Sequence, residues 1–295
     1  MKSIRLIISI ALLCLCTAMP AKGRAGVNFV EIQEMARFAN AAYESEAGIN
    51  RLVESSDYKL VYFHTIPDVQ VTYFLASNEI SGTQVISIRG TSNIENAMVD
   101  ISLKLKLDAD VGVPLHEGFA YSARQVFKEL KPLLKPGYKT NLTGHSLGGA
   151  VALILAMYLD ENQFDVERVV TFGQPKVTNV PGADKVRQLD IIRVVTPHDL
   201  VPLVPLFDPL DINNLDIFWH AGKEVILLED TSYAILEGAS SMLRATKFTQ
   251  KPLSEGNLKD HQMSVYLDKI DARIASSVLV PYKTNLNLFN LFGSE

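Results

Sequence analysis

At 295 residues the chain is long enough for one large α/β domain or two small ones, with a substantial core. With 47% hydrophobic and 21% charged residues it has the composition of an ordinary soluble globular protein. The formal net charge is −5 and Lys and Arg are scattered, which argues against a nucleic-acid partner.

The N-terminus reads as an export signal. Lys2 and Arg5 precede an apolar run from Leu6 to Cys16, and small residues then offer cleavage after Ala18, Ala21 or Gly23. The run is shorter than the ~20 residues a spanning helix needs. The expected organisation is a signal peptide over 1–23 and a single domain over 24–295, secreted or periplasmic after cleavage. Both cysteines, Cys14 and Cys16, fall inside the leader. The mature chain is therefore expected to have no disulfide and no cysteine-based zinc site, and to depend on its core.

From Asn28 to Tyr43, Val30, Ile32, Met35, Ala36, Phe38, Ala39 and Ala42 recur at helical spacing. Three strand-like runs follow: LVYFHTI, VTYFLAS and QVISIRG. Glu117 to Leu134 predicts an amphipathic helix, ended by Pro136-Gly137. Lys139 to Thr143 predicts a short strand. Leu147 to Leu159 predicts a helix apolar nearly all round, and hence buried. Arg168 to Phe172 and Asp190 to Val195 read as buried strands, and Lys223 to Leu228 as an edge strand. Strands alternating with helices predict a mostly parallel central sheet with helices on both faces. The sequon Asn141-Leu142-Thr143 falls in a predicted strand beneath the turn that follows, so no glycan is expected there.

That turn carries the chemistry. Gly144-His145-Ser146-Leu147-Gly148 matches G-x-S-x-G between a predicted strand and a predicted helix. In this context the serine sits on a sharp turn, and the flanking glycines let strand and helix approach closely. A helix-capping serine is the plain alternative, but it does not account for the glycines. If Ser146 is a nucleophile, an acid and then a histidine should follow in the chain. His64, His116 and His145 are excluded by that order. His198 neighbours the best acid, Asp199, and adjacent side chains of an extended segment point apart. His261, in a polar loop before the Met263-Tyr266-Leu267 pattern, is the favoured base, with His220 the fallback. Asp199 lies just past the carboxyl end of a predicted strand, where catalytic groups of open α/β sheets gather. Asp190, Asp208, Asp211 and Asp216 are its rivals. The N–H of Leu147 and the Thr91 that follows Arg89-Gly90 are the candidate oxyanion donors.

With these residues in hand the chain resembles the class 3, fungal-type triacylglycerol lipases of the α/β-hydrolase superfamily. The matching stretches are IRGTSNIENAMVDI, LHEGFAYSA, TGHSLGGAVALILA, VTFGQPKVTN, IIRVVTPHDLVPLVP, FWHAGKEV and DHQMSVYLD, in family order. The resemblance implies Ser146 as nucleophile, Asp199 as acid, His261 as base, and Thr91 with Leu147 as oxyanion donors. It favours His261 over His220, because the family's base sits in an Asp-His pair followed by a Tyr. It also implies a lid over Ser92 to Leu107, whose Ile94, Met98, Ile101 and Leu105 can form an apolar stripe, although Val99 to Leu107 also alternates with the period of a strand. Ala97 stands where well-known fungal members carry Trp.

The expected reaction is two-step ester hydrolysis of acylglycerol lipids through an acyl-enzyme, with no metal or organic cofactor. The expected partner is a lipid ester at an interface, met by transient contact with the lipid surface. A phospholipase A1 or other polar-lipid acyl hydrolase is the alternative, and a silent lipid-binding protein of the same fold comes third.

Overall fold

A computed structural model describes residues 26–91, 104–205, 217–246 and 255–282. The expected leader, most of the expected lid (92–103), the rival acids Asp208, Asp211 and Asp216, and the tail beyond residue 282 lie outside these.

The chain begins with α1 (Phe29–Ala41), whose Asn28 caps the helix by accepting from the Val30 N–H. A second helix, α2 (Glu46–Ser55), was not expected. Only Ile49 and Val53 bury on it, too few anchors to show as a helical period in the sequence. Three antiparallel strands follow, β1 (Lys59–Ile66), β2 (Val71–Asn78) and β3 (Thr83–Ile88). A small hairpin, β4 (Leu105–Leu107) with β5 (Pro114–His116), leads into α3 (Glu117–Leu130). The end of the expected lid segment is therefore strand rather than helix.

The chain then alternates between strand and helix. β6 (Lys139–His145) leads to α4 (Leu147–Glu161), and β7 (Val166–Phe172) to α5 (Val180–Lys185). β8 (Ile191–Val195), β9 (Lys223–Leu227) and β10 (Ser232–Glu237) follow. The last described elements are α6 (Ala239–Thr246), α7 (Glu255–Asp260), α8 (Met263–Asp271) and the short β11 (Val278–Leu279).

Among the described residues, nine strands form one sheet in the order β1-β2-β3-β6-β7-β8-β9-β10-β11. The centre, β3 through β9, is parallel, and antiparallel pairs flank it. β9 is thus an inner strand rather than an edge, with β10 on its far side. Val225, Ile226 and Leu227 are correspondingly buried, as both-face coverage demands.

Adjacent residues of each central strand feed opposite cores. Val169 and Ile191 pack with Leu142 against α3 and α4. Val170 and Ile192 pack with Phe172 and Val194 against α1 and α8. Every residue of α4 from Gly148 to Leu159 is buried, so its all-round apolar character reflects a helix enclosed by sheet and α3. Asn141 lies in β6, half-buried, its Nδ2 donating to Glu167 Oε2 at 3.1 Å.

Candidate active site

The candidate residues gather where the parallel strands end. Thr91 follows β3, Ser146 follows β6, Gly173 follows β7 and Asp199 follows β8, so four successive carboxyl ends meet on one side of the sheet.

Ser146 sits between β6 and α4 with φ 58° and ψ −131°. A non-glycine residue adopts this region only when its surroundings over-determine it. The glycines supply that constraint. A Cβ on Gly144 would lie 2.6 Å from the Gly148 backbone, and one on Gly148 would lie 2.2 Å from the Ile88 carbonyl oxygen. Strand, turn and helix can close this tightly only with glycine at both places. The Ser146 N–H donates to the Phe172 carbonyl at 2.8 Å, which pins the turn to β7.

Asp199 and His261 form a buried pair. His261 Nδ1 lies 2.8 Å from Asp199 Oδ2, with Asp199 wholly buried and His261 3% exposed. Asp199 accepts two further hydrogen bonds. The Val201 N–H donates to Oδ1 at 2.9 Å and the Tyr266 hydroxyl to Oδ2 at 2.6 Å. Burial, and then the carboxylate beside it, push the Tyr266 phenol well above its ordinary pKa, so it remains a donor. Gly173 packs beneath the pair with φ 60°. A Cβ there would lie 2.8 Å from both Asp199 Oδ2 and His261 Cε1. Phe172 therefore anchors Ser146 while its neighbour Gly173 supports Asp199 and His261. The buried Ser146 Oγ and His261 Nε2 have no hydrogen-bond partner among the described residues. They are the hydroxyl and base nitrogen that acyl transfer would use.

Thr91 and Leu147 share a cavity of about 260 Å³ that Gly90, Phe119 and Val151 also line. Leu147 is the first residue of α4, so its N–H is one of the free donors at a helix N-terminus, where the dipole favours negative charge.

The other candidates are engaged elsewhere. His220, the fallback base, is buried with Nε2 2.6 Å from the Pro202 carbonyl. His198 faces Asp260 at 3.4 Å. Asp190 pairs with Arg168 and Lys223 at the opposite end of β8. Sequence reasoning assigned no role to Tyr266, Gly173 or Tyr43. Tyr266 had a signal, since it follows His261 of the Asp-His pair by five residues. Gly173 and Tyr43 had none, because they reach the site only through the fold.

A strained serine between a central strand and a buried helix, with an Asp-His pair brought in from later loops, is the arrangement of the α/β-hydrolases. The family model for lipases of class 3 matches residues 85–208. A secreted mono- and diacylglycerol lipase of Fusarium solani is 32% identical over 141 residues, covering 45% of this chain and 42% of that protein. A lipase of Rhizomucor miehei is 27% identical over 220 residues, covering 70% of this chain and 58% of that protein. The matches thus span about half the length of these relatives. A solved triacylglycerol lipase, described as having a serine protease triad for its catalytic centre, is 26% identical with a TM-score of 0.58, covering 70% of this chain and 83% of that one. The chain is similar to the class 3 lipases over residues 85–208, and its fold is that of the α/β-hydrolases.

Proposed function

We propose that the chain hydrolyses carboxylic esters of acylglycerol lipids, with Ser146, His261 and Asp199 as nucleophile, base and acid. The buried Asp199–His261 contact at 2.8 Å carries the reading, because it holds the imidazole proton on Nδ1 and leaves Nε2 free to accept one. His261 Nε2 takes the hydroxyl proton as Ser146 Oγ attacks the acyl carbonyl. Asp199 stabilises the imidazolium that forms. The tetrahedral oxyanion is held by the Leu147 N–H and by Thr91. His261 returns the proton to the departing alcohol, and water then releases the fatty acid by the same steps. Replacing Thr91 by Val should lower kcat by about 10²-fold if its hydroxyl is one of the donors.

The whole acts as one exported domain after removal of residues 1–23. Support for export comes from the composition of that leader and from the secreted Fusarium relative. Among the described residues no helix is long and apolar enough to cross a membrane.

The test is fatty-acid release from emulsified triacylglycerol and from phospholipid vesicles, side by side, with Ser146→Ala as the blank. The reading expects release from triacylglycerol that Ser146→Ala abolishes without unfolding the chain. Release from phospholipid alone would reassign the substrate to polar lipids. Undiminished activity in Ser146→Ala would end the assignment of the nucleophile.

A further inference from the structure

His145 is a buried histidine that the acyl-transfer steps leave unused. It ends β6 directly before Ser146 and is 6% exposed. Both ring nitrogens are engaged. Nε2 lies 2.7 Å from the backbone carbonyl oxygen of His261, and Nδ1 lies 2.8 Å from the Tyr43 hydroxyl. A carbonyl oxygen can only accept, so Nε2 carries the proton. Nδ1 is then a lone pair, and Tyr43 must donate to it. The neighbours therefore set the tautomer. The ring centroids of His145 and His261 are 4.5 Å apart. Burial, and then the neighbouring His261, bring the His145 pKa down to about 3, so the ring stays neutral beside a His261 that must become an imidazolium. A second cation at this distance would oppose that step.

The far end of the relay is also built in. Tyr43 follows α1, and burial pushes its phenol up to about 12. A Cβ on Gly90 would lie 2.7 Å from the Tyr43 hydroxyl and 2.6 Å from the His145 carbonyl oxygen. One line of contacts thus runs from Gly90, beside Thr91, through Tyr43 and His145 to the backbone of His261. Among the described residues, the loop that carries His261 is also held by Thr196 Oγ1, which donates to the Asp260 carbonyl at 3.2 Å, by His198, which faces Asp260 at 3.4 Å, and by the contact of His261 Nδ1 with Asp199.

We propose that His145 is a positioning residue: held by Tyr43, it donates from Nε2 to the His261 carbonyl and so sets the base over Ser146. The inference rests on the reading of Ser146 and His261 as nucleophile and base. Its energetic logic is that of near-attack geometry, where a displacement of about 1 Å costs about 10²-fold in rate.

The test compares His145→Phe, His145→Gln and His145→Asn on a water-soluble p-nitrophenyl ester, with folding followed by circular dichroism. A Gln amide N–H reaches the place of Nε2, whereas an Asn amide ends near Nδ1 and falls short of the carbonyl. The expected result is a kcat about 10²-fold lower in His145→Phe with KM nearly unchanged. His145→Gln should recover at least about tenfold of that loss, and His145→Asn should not. A His145→Phe enzyme within about threefold of wild-type kcat overturns the proposal. So does a Gln variant no better than Asn, which keeps the comparison decisive if the Phe variant does not fold. Ser146→Ala and His261→Ala run alongside. If they are inactive while the His145 variants match wild type, only the positioning role has failed. If they are as active as wild type, the assignment of nucleophile and base has failed with it.

Discussion

A Cβ on Gly173 would collide with both members of the Asp199–His261 pair, and its φ of 60° already disfavours a side chain. Gly173→Ala should push the carboxylate and imidazole apart and lower kcat by about 10²-fold in a chain that still folds. A variant with wild-type kcat would mean that the pair can shift freely. Tyr266→Phe removes a donor from a wholly buried carboxylate that keeps two others. It should cost about 1.5–3 kcal/mol of stability, read from urea unfolding. At this scale the serine was the most legible residue, because G-x-S-x-G between strand and helix is a local pattern. Asp199 was legible through its place after a strand, and His261 through chain order and family resemblance. Gly173 and Tyr43 were not legible. Each meets the site across tens of residues of chain, and no local spacing encodes that.

Between elements, the most consequential contacts lie where α6 covers β8 and β9. Arg193 of β8 stands beside Glu224 of β9 in register, and Arg244 of α6 donates Nε and Nη2 to Glu224 Oε1 at 2.9 and 2.6 Å. All three side chains are buried. Burial alone would raise the Glu224 pKa, yet Arg244 and Arg193 hold it below the ordinary carboxylate value. Arg244→Met strands that carboxylate with half its counter-charge and should cost about 3–5 kcal/mol. Unchanged unfolding in urea would show that α6 is not tied down by this pair. The same region explains a misread element. Lys223 to Leu228 looked like an edge strand because its first two residues are charged. Glu224, however, is buried against two arginines, and a buried ion pair looks like a solvated edge in the sequence. The strongly periodic elements, α1, α3, α4 and the central strands, were legible from pattern alone. α2 was not, since two buried side chains make no period.

The whole molecule carries several charges whose ionisation opposes burial. Lys176 is buried, with Nζ donating to the Leu203 carbonyl and to the Pro205 carbonyl at 2.8 Å. Burial, then Arg193 and Arg244, bring its pKa from 10.5 down to about 7. Between those values the unfolded chain holds a proton that the folded chain lacks, so stability rises with pH across the window and is flat in this term below about 7. Lys176→Met should therefore flatten the rise in urea stability between about pH 7.5 and 9.5. On the acid side His145 and His220 are both held neutral by burial, well below 6.5. The unfolded chain protonates them first, so stability falls as pH drops from about 6.5, before ordinary carboxylates titrate near 4. A stability curve flat from about pH 6.5 to 5 would contradict the neutral, buried state of these rings.

If the proposed triad operates, the folded chain presents one activated serine. The most direct measurement is reaction with a serine-directed fluorophosphonate, with the adduct mapped by peptide mass spectrometry in wild type, Ser146→Ala and His261→Ala. The expected result is a single adduct on Ser146 in wild type, none in Ser146→Ala, and strongly slowed labelling in His261→Ala. No adduct on the folded wild-type chain, or an adduct on a different residue, would contradict it.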